Sequence, residues 1–328
     1  MSPRQYRRFG LLCLLVLLGL LGPLANACQV CVPVPQKTLA DRLLEADAVV
    51  LAREDPDRPY RFVTVEVLKG KIGNKSIDAF LNSQARRVLA AYPQRAMVLA
   101  RKRGKDSWTT LGITDAELDR VVRLVIDHAA DWKPLETANP QRLNAFAKLL
   151  GHENSSLHEL AYLEIGRAPY GTIREIAERV SVEKVRVMLD DPRYLEWRSL
   201  AILMLAQTRD PDDVARIGKT FDRKQRMNST LNLAAWATAY IAVEGPAAIE
   251  HIEQIYLSQP NRSREELREI LQALSIQAND DAELRNAIAV TYRTLIDVHP
   301  DLASEITRDL IAWRRWDFVE QVGRARTL

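Results

Sequence analysis

Cys28 and Cys31 are the residues of this sequence with the clearest chemical potential. Two residues lie between them, a spacing at which thiols can close a disulfide, cycle as a redox couple or grip a soft ion such as Cu(I). Redox enzymes set such a pair at the start of a helix, whose backbone N–H groups lower the thiol pKa. Here Val32-Pro33-Val34-Pro35 follows, and proline keeps the residue before it out of the helical region. The expectation is a structural disulfide between Cys28 and Cys31, with lipid attachment to Cys28 or metal binding as the alternatives. Copper would need a third ligand, and neither methionine nor histidine lies near in sequence. No cofactor is expected.

The other candidates are weaker. His152-Glu153 and His158-Glu159 form the one histidine–acid cluster, but six residues separate the histidines. The zinc-binding His-Glu-x-x-His helix needs them four apart on one face, so a solvated turn followed by a helix start is expected instead. Arg103-Gly104-Lys105-Asp106 matches only the tail of a phosphate-binding loop and is expected to be a hairpin turn. There is no Gly-x-Ser-x-Gly nucleophile element. The sequence therefore predicts no catalytic residue and no enzyme.

The cysteines sit just after a three-part leader. Arg4, Arg7 and Arg8 precede an apolar run from Phe9 to Leu21, Gly22-Pro23 breaks it, and Ala25-Asn26-Ala27 satisfies the small-x-small rule for cleavage before Cys28. An apolar helix of about 13 residues reaches about 20 Å, short of the roughly 30 Å hydrocarbon core. Residues 1–27 are thus expected to be a signal peptide, which places the mature chain in the periplasm or outside the cell. A lipid on Cys28 would anchor it there, although Ala-Asn-Ala departs from the leucine-led box that precedes lipidated cysteines. The chain of 328 residues carries 46 Lys and Arg against 43 Asp and Glu, and its surplus of three is the leader's own arginines. Nucleic-acid binding draws on a basic surplus that the mature chain lacks.

A chain this long suggests two domains, and its texture changes near residue 113. Gln36 to Ala46 has the spacing of a short helix. Ala48 to Arg53, Tyr60 to Lys69, Ser76 to Leu81, Ala96 to Ala100 and Trp108 to Leu111 have the lengths and residue types of strands, separated by Asp55-Pro56-Asp57, Gly70 with Gly73-Asn74, and Arg103-Gly104. In the second strand Phe62 or Val63, Val65 and Val67 are expected on one face, opposite Thr64, Glu66 and Leu68. Five short strands in so short a segment predict a small closed barrel.

Cys-x-x-Cys-x-Pro at the new amino terminus, Pro35-Gln36, Ala46-Asp47-Ala48-Val49-Val50, Val65-Glu66-Val67-Leu68-Lys69-Gly70 and Met97-Val98-Leu99-Ala100 follow in an order that resembles a netrin-type module. Tissue inhibitors of metalloproteinases have this module as their amino-terminal domain, and the resemblance implies an oligonucleotide/oligosaccharide-binding (OB) type barrel over residues 28–113. In that family the terminal cysteine's amino group and carbonyl chelate the zinc of a target protease, and Cys28 would match that position. Cys-x-x-Cys here replaces the family's Cys-x-Cys, and no distant cysteine remains to clamp the strand.

From Thr114 to Leu328 the apolar residues recur at helical spacing. Thr114-Asp115-x-Glu117, as a capping pair, and Asn139-Pro140 are expected to open helices, the second running to Leu150 and stopping at Gly151. Leu160-Ala161-x-Leu163-x-Ile165 returns as Leu200-Ala201-x-Leu203-x-Leu205, with looser echoes at Leu233-Ala234-Ala235-Trp236 and Leu271 to Leu274. The intervals of 40, 33 and about 38 residues, with breakers between, fall in the range of helical-repeat solenoids and resemble HEAT repeats, in which stacked helical hairpins bury what one hairpin cannot. Trp313-Arg314-Arg315-Trp316 is expected on the last helix with Phe318, Val319 and Val322. The whole reads as α+β: a small OB-type β-barrel followed by an all-α HEAT-like solenoid. The function expected is an exported, non-enzymatic protein-interaction or envelope-assembly module with a protein partner. A thiol or copper-handling factor acting through Cys28 and Cys31, and a metalloprotease inhibitor acting through Cys28, are the alternatives. Membrane contact is expected only through the leader or a lipid on Cys28.

Overall fold

The computed structural model describes residues 31, 37–73, 77–102, 104–105 and 107–325. It is a mixed α+β structure in which a five-stranded antiparallel sheet on the amino-terminal side is followed by helices through the rest of the described residues. The strands are β1 (Ala48–Asp55), β2 (Arg58–Lys69), β3 (Ile77–Asp78), β4 (Met97–Arg101) and β5 (Trp108–Ile113). They lie in the order β3-β2-β1-β4-β5.

The central strand β1 is apolar on both faces because both are covered. Val49 and Leu51 pack with Val98 and Ala100 beneath helices α1 (Leu39–Glu45) and α3 (Ala116–Asp127). Val50 and Ala52 pack on the other face with Phe62, Met97 and Leu99, over which α2 (Ser83–Ala91) lays Ala85 and Leu89. The sheet curls into a half-barrel rather than the expected closed barrel. Its two ends still approach each other: the Thr110 hydroxyl on β5 donates to the carbonyl of Phe80, just past β3, at 3.3 Å.

β2 corrects the expected alternation. Its pairing with β1 slips three times, between Val49 and Val50, between Leu51 and Ala52, and between Glu54 and Asp55. Each such bulge adds a residue to one strand and breaks the period of two. Phe62 is buried as expected, but Val63, Val65 and Val67 are all exposed. Gly70 then turns the chain at φ +74, and a Cβ there would lie 2.0 Å from the Asp47 carbonyl oxygen.

The helices begin where their capping residues place them. Asp115 accepts the N–H groups of Glu117 and Leu118 to open α3, and Asn139 accepts that of Arg142 to open α4 (Pro140–Ala147). Then come α5 (Ser155–Gly166), α6 (Tyr170–Ala177), α7 (Val182–Asp190), α8 (Arg198–Leu205), α9 (Pro211–Arg226), α10 (Leu233–Glu244), α11 (Pro246–Ile252), α12 (Arg264–Asp280), α13 (Ala282–Val298), α14 (Ala303–Ala312) and α15 (Val319–Ala325). The Leu-Ala echoes fall on α5, α8, α10 and α12, where Ala161, Ala201, Ala235 and Leu274 have no exposed surface. α8, α10 and α12 pack side by side, while α7, α9 and α13 each pair with one of them. The chain end departs from expectation: Trp313 ends α14, Arg314 takes φ +57, and Trp316 sits in a separate 3-10 turn, 62% exposed. No helix among the described residues is long and apolar enough to cross a membrane.

Candidate functional site

Cys28 lies outside the described residues. Cys31 does not start the sheet; it is buried in the helical core, in one cluster with Tyr162, Ile165 and Tyr194. The Tyr162 hydroxyl donates to its carbonyl at 2.7 Å. A thiol buried in apolar surroundings is a poor redox or metal-exchange group. The expected turn and helix start are present, with α5 beginning at Ser155, but His158 on that helix is fully buried rather than solvated. Its ring packs against Tyr194 and Trp197, with centroids 4.4 and 4.5 Å away, and Nδ1 accepts the Gly151 N–H at 2.7 Å. Burial, with Lys184 and His152 adding repulsion, pushes its pKa down to about 4, so the imidazole is neutral near pH 7. His152 is apart from it, accepting the Asn154 N–H and facing Glu117 at 3.5 Å. Lys105 closes the expected turn by donating to the Lys102 carbonyl.

Four charges with no more than 2% exposure join the sheet side to the helices: Asp41 on α1, Arg142 on α4, Glu164 on α5, and Arg167 one residue past α5. Asp41 is placed by a capping box, in which Thr38 and Asp41 each bind the other's backbone N–H. Its carboxylate also accepts from Arg142 at 2.8 Å, Arg167 at 2.5 Å and the Leu135 N–H at 2.9 Å. Glu164 accepts from Arg142 through both oxygens at 2.9 Å, from Arg167 at 2.9 Å and from the Thr38 hydroxyl. The set is neutral overall. Burial alone would raise the Asp41 pKa, but the two guanidinium groups hold it far below the usual carboxylate range. None of these four residues lines a cleft among the described residues, and their mutual pairing suits a set that welds elements together.

Open volume lies elsewhere. A cleft of about 400 Å3 runs between α12 and α14. Its walls are two helix stripes: Arg268, Gln272, Ser275 and Asn279 on one side, Glu305, Arg308, Asp309 and Ala312 on the other. Residues three and four apart share a helix face, which is why each set converges on the same gap. Asp309 Oδ1 accepts the Ser275 hydroxyl at 2.9 Å, and Oδ2 accepts the hydroxyl of buried Tyr292 at 3.1 Å. Burial raises the Asp309 pKa, partly offset by those two bonds. No histidine lines the cleft, so the Ser275–Asp309 contact lacks the base that a nucleophilic serine uses.

No protein-family model, curated protein or solved structure matches the chain. Its function is therefore argued from these residues alone. The cysteine pair drew attention because spacing is visible in a sequence. The ionic set and the cleft were missed because their members are distant along the chain, although the spacing of Gln272, Ser275 and Asn279 on one polar stripe was a signal that could have been read.

Proposed function

We propose that this chain is an exported, non-enzymatic protein-interaction module whose helical part holds the partner. In this reading the helices are HEAT-like repeats, and the half-barrel with α2 is a shortened OB-type, netrin-like module that serves as their first wall. The observation that carries the reading is the side-by-side packing of α8, α10 and α12, with α14 beyond them across an open polar cleft. Stacked hairpins expose one continuous helical face, which suits an extended polypeptide better than a small substrate. A thiol or metal role would need an accessible sulfur, and Cys31 is 6% exposed.

The test is site-specific photo-crosslinking in the exporting cell. A photoreactive residue at Gln272 is expected to give a defined protein adduct, and one at Val290, exposed on α13, is expected to give none. Equal labelling from both positions, or none from Gln272, would reject the proposal.

A further inference from the structure

Among the charged residues lining the α12–α14 cleft, Asp309 is treated differently from its neighbour Glu305. Glu305 faces cations: Arg268 donates to it through two nitrogens at 3.1 and 2.8 Å, and Arg264 lies 3.9 Å away. Asp309 receives hydrogen bonds only from the neutral hydroxyls of Ser275 and Tyr292 among the described residues, and the charge of Arg308, which lines the same cleft, also acts on it. Arg308 is its immediate neighbour in sequence, and its charge offsets only part of what burial does to the carboxyl. Tyr292 cannot withdraw, because its ring is buried and stacked on Trp313, whose indole N–H is fixed to Asn279 at 2.9 Å.

A carboxylate offers about four acceptor positions, two on each oxygen. Ser275 takes one on Oδ1 and Tyr292 one on Oδ2, which leaves one free on each oxygen. That is the arrangement a guanidinium fork fills with two parallel bonds. Leu271, Ile276, Ile306 and Ala312 line the same cleft and offer apolar surface to the methylene stem of a long cationic side chain. The volume of about 400 Å3 is in the range of small-ligand pockets. A half-buried carboxylate whose burial is only partly offset by its neighbours is costly, and that cost falls when a further cation docks. Burial also holds the Asp309 pKa above its usual value, and the Ser275 and Tyr292 bonds with the Arg308 charge offset only part of that rise.

We propose that this cleft is a socket for one arginine or lysine side chain of the partner polypeptide, with Asp309 as its counter-ion and Ser275 and Tyr292 holding that carboxylate in place. This rests on the reading of the helical part as a partner-binding surface and names the chemistry that the partner must present.

The experiment is calorimetric titration of the full mature chain with three blocked tripeptides, in which glycine flanks arginine, lysine or citrulline. Citrulline has the shape of arginine without its charge. The arginine peptide is expected to bind in the millimolar range, the lysine peptide more weakly because it bonds as a point charge, and the citrulline peptide at least about tenfold more weakly than arginine. Asp309→Asn, which keeps the shape of the side chain, should reduce the arginine peptide to the citrulline level with the unfolding midpoint little changed. Gln272→Trp at the mouth should block all three. Equal binding of arginine and citrulline, or full arginine binding by Asp309→Asn, overturns the socket. Stronger binding of spermidine than of the arginine peptide also overturns it, since the ligand would then be a free polyamine. Because the probes are tripeptides, these outcomes do not depend on the crosslinking result: loss of the Gln272 adduct removes the protein-interaction reading, whereas loss of charge discrimination removes the socket alone.

Discussion

Arg142 and Glu164 meet as a fork on a fork, Nε to Oε2 and Nη2 to Oε1, both at 2.9 Å and both without solvent exposure. Asp41 and Arg167 close the same set from α1 and from the end of α5. Removing one member leaves an unpaired charge in a dry site, a loss of about 3–5 kcal/mol for such pairs. Glu164→Gln and Arg142→Met should each destabilise the protein by about that amount. The double variant Arg142→Met with Glu164→Leu should lose clearly less than the sum, because Asp41 and Arg167 still balance each other. Urea unfolding of the three variants measures this, and additive losses would contradict the clamp.

How far the sequence disclosed this structure depends on distance along the chain. All five strands fall where their residue types and turns placed them, since that information is local. Val63, Val65 and Val67 were assigned a common face that the bulges in β1–β2 pairing break, and register is set by partners rather than by the strand itself. The Leu-Ala echoes did locate four buried helices. Nothing in the sequence shows that Asp41 meets residues more than a hundred positions later, because a charge in a sequence looks the same whether solvated or clamped. The cleft lies between these cases: its stripes are visible, its facing is not.

His158 gives the protein an acid limit. Its folded pKa of about 4 lies below the unfolded value near 6.5, so the unfolded chain takes up a proton first as pH falls. The stabilising contribution is complete above pH about 6.5 and is lost as pH falls towards about 4, with a ceiling on the order of 3 kcal/mol. Asp41, whose pKa is lowered, acts only below the carboxylate range near 3.8, so the two windows separate. Unfolding midpoints recorded from pH 7 to pH 4.5 should fall, and His158→Gln, which can still accept the Gly151 N–H, should flatten that fall while lowering stability at pH 7. An unchanged slope in the variant would assign the acid loss elsewhere.

Gly70 and Gly104 share φ +74 but not their surroundings. A Cβ at Gly104 meets open space, so Gly104→Ala should cost only the backbone term of about 1–2 kcal/mol. At Gly70 the same atom would lie 2.0 Å from the Asp47 carbonyl oxygen and 3.2 Å from the Ala48 Cα, so the turn into β1 must move. Gly70→Ala should lower the thermal midpoint well beyond Gly104→Ala. Similar midpoints for the two would mean that the approach of Gly70 to Asp47 carries no structural weight.

Tyr162 and Cys31 link the amino-terminal segment to the helical core through one bond of 2.7 Å. Tyr162→Phe keeps the ring against Trp197 and removes only the donor, leaving a buried carbonyl unsatisfied. Loss of such a bond costs about 1 kcal/mol or somewhat more. The effect should be local, because the substitution removes a single hydroxyl and keeps the ring in place. In a Cys28→Ser background, maleimide labelling of Cys31 should be slow in the otherwise native chain and several-fold faster with Tyr162→Phe, while the urea midpoint falls little. Fast labelling before the tyrosine is changed would mean that Cys31 is not held in the helical core, and would return the cysteine pair to consideration as an accessible thiol site.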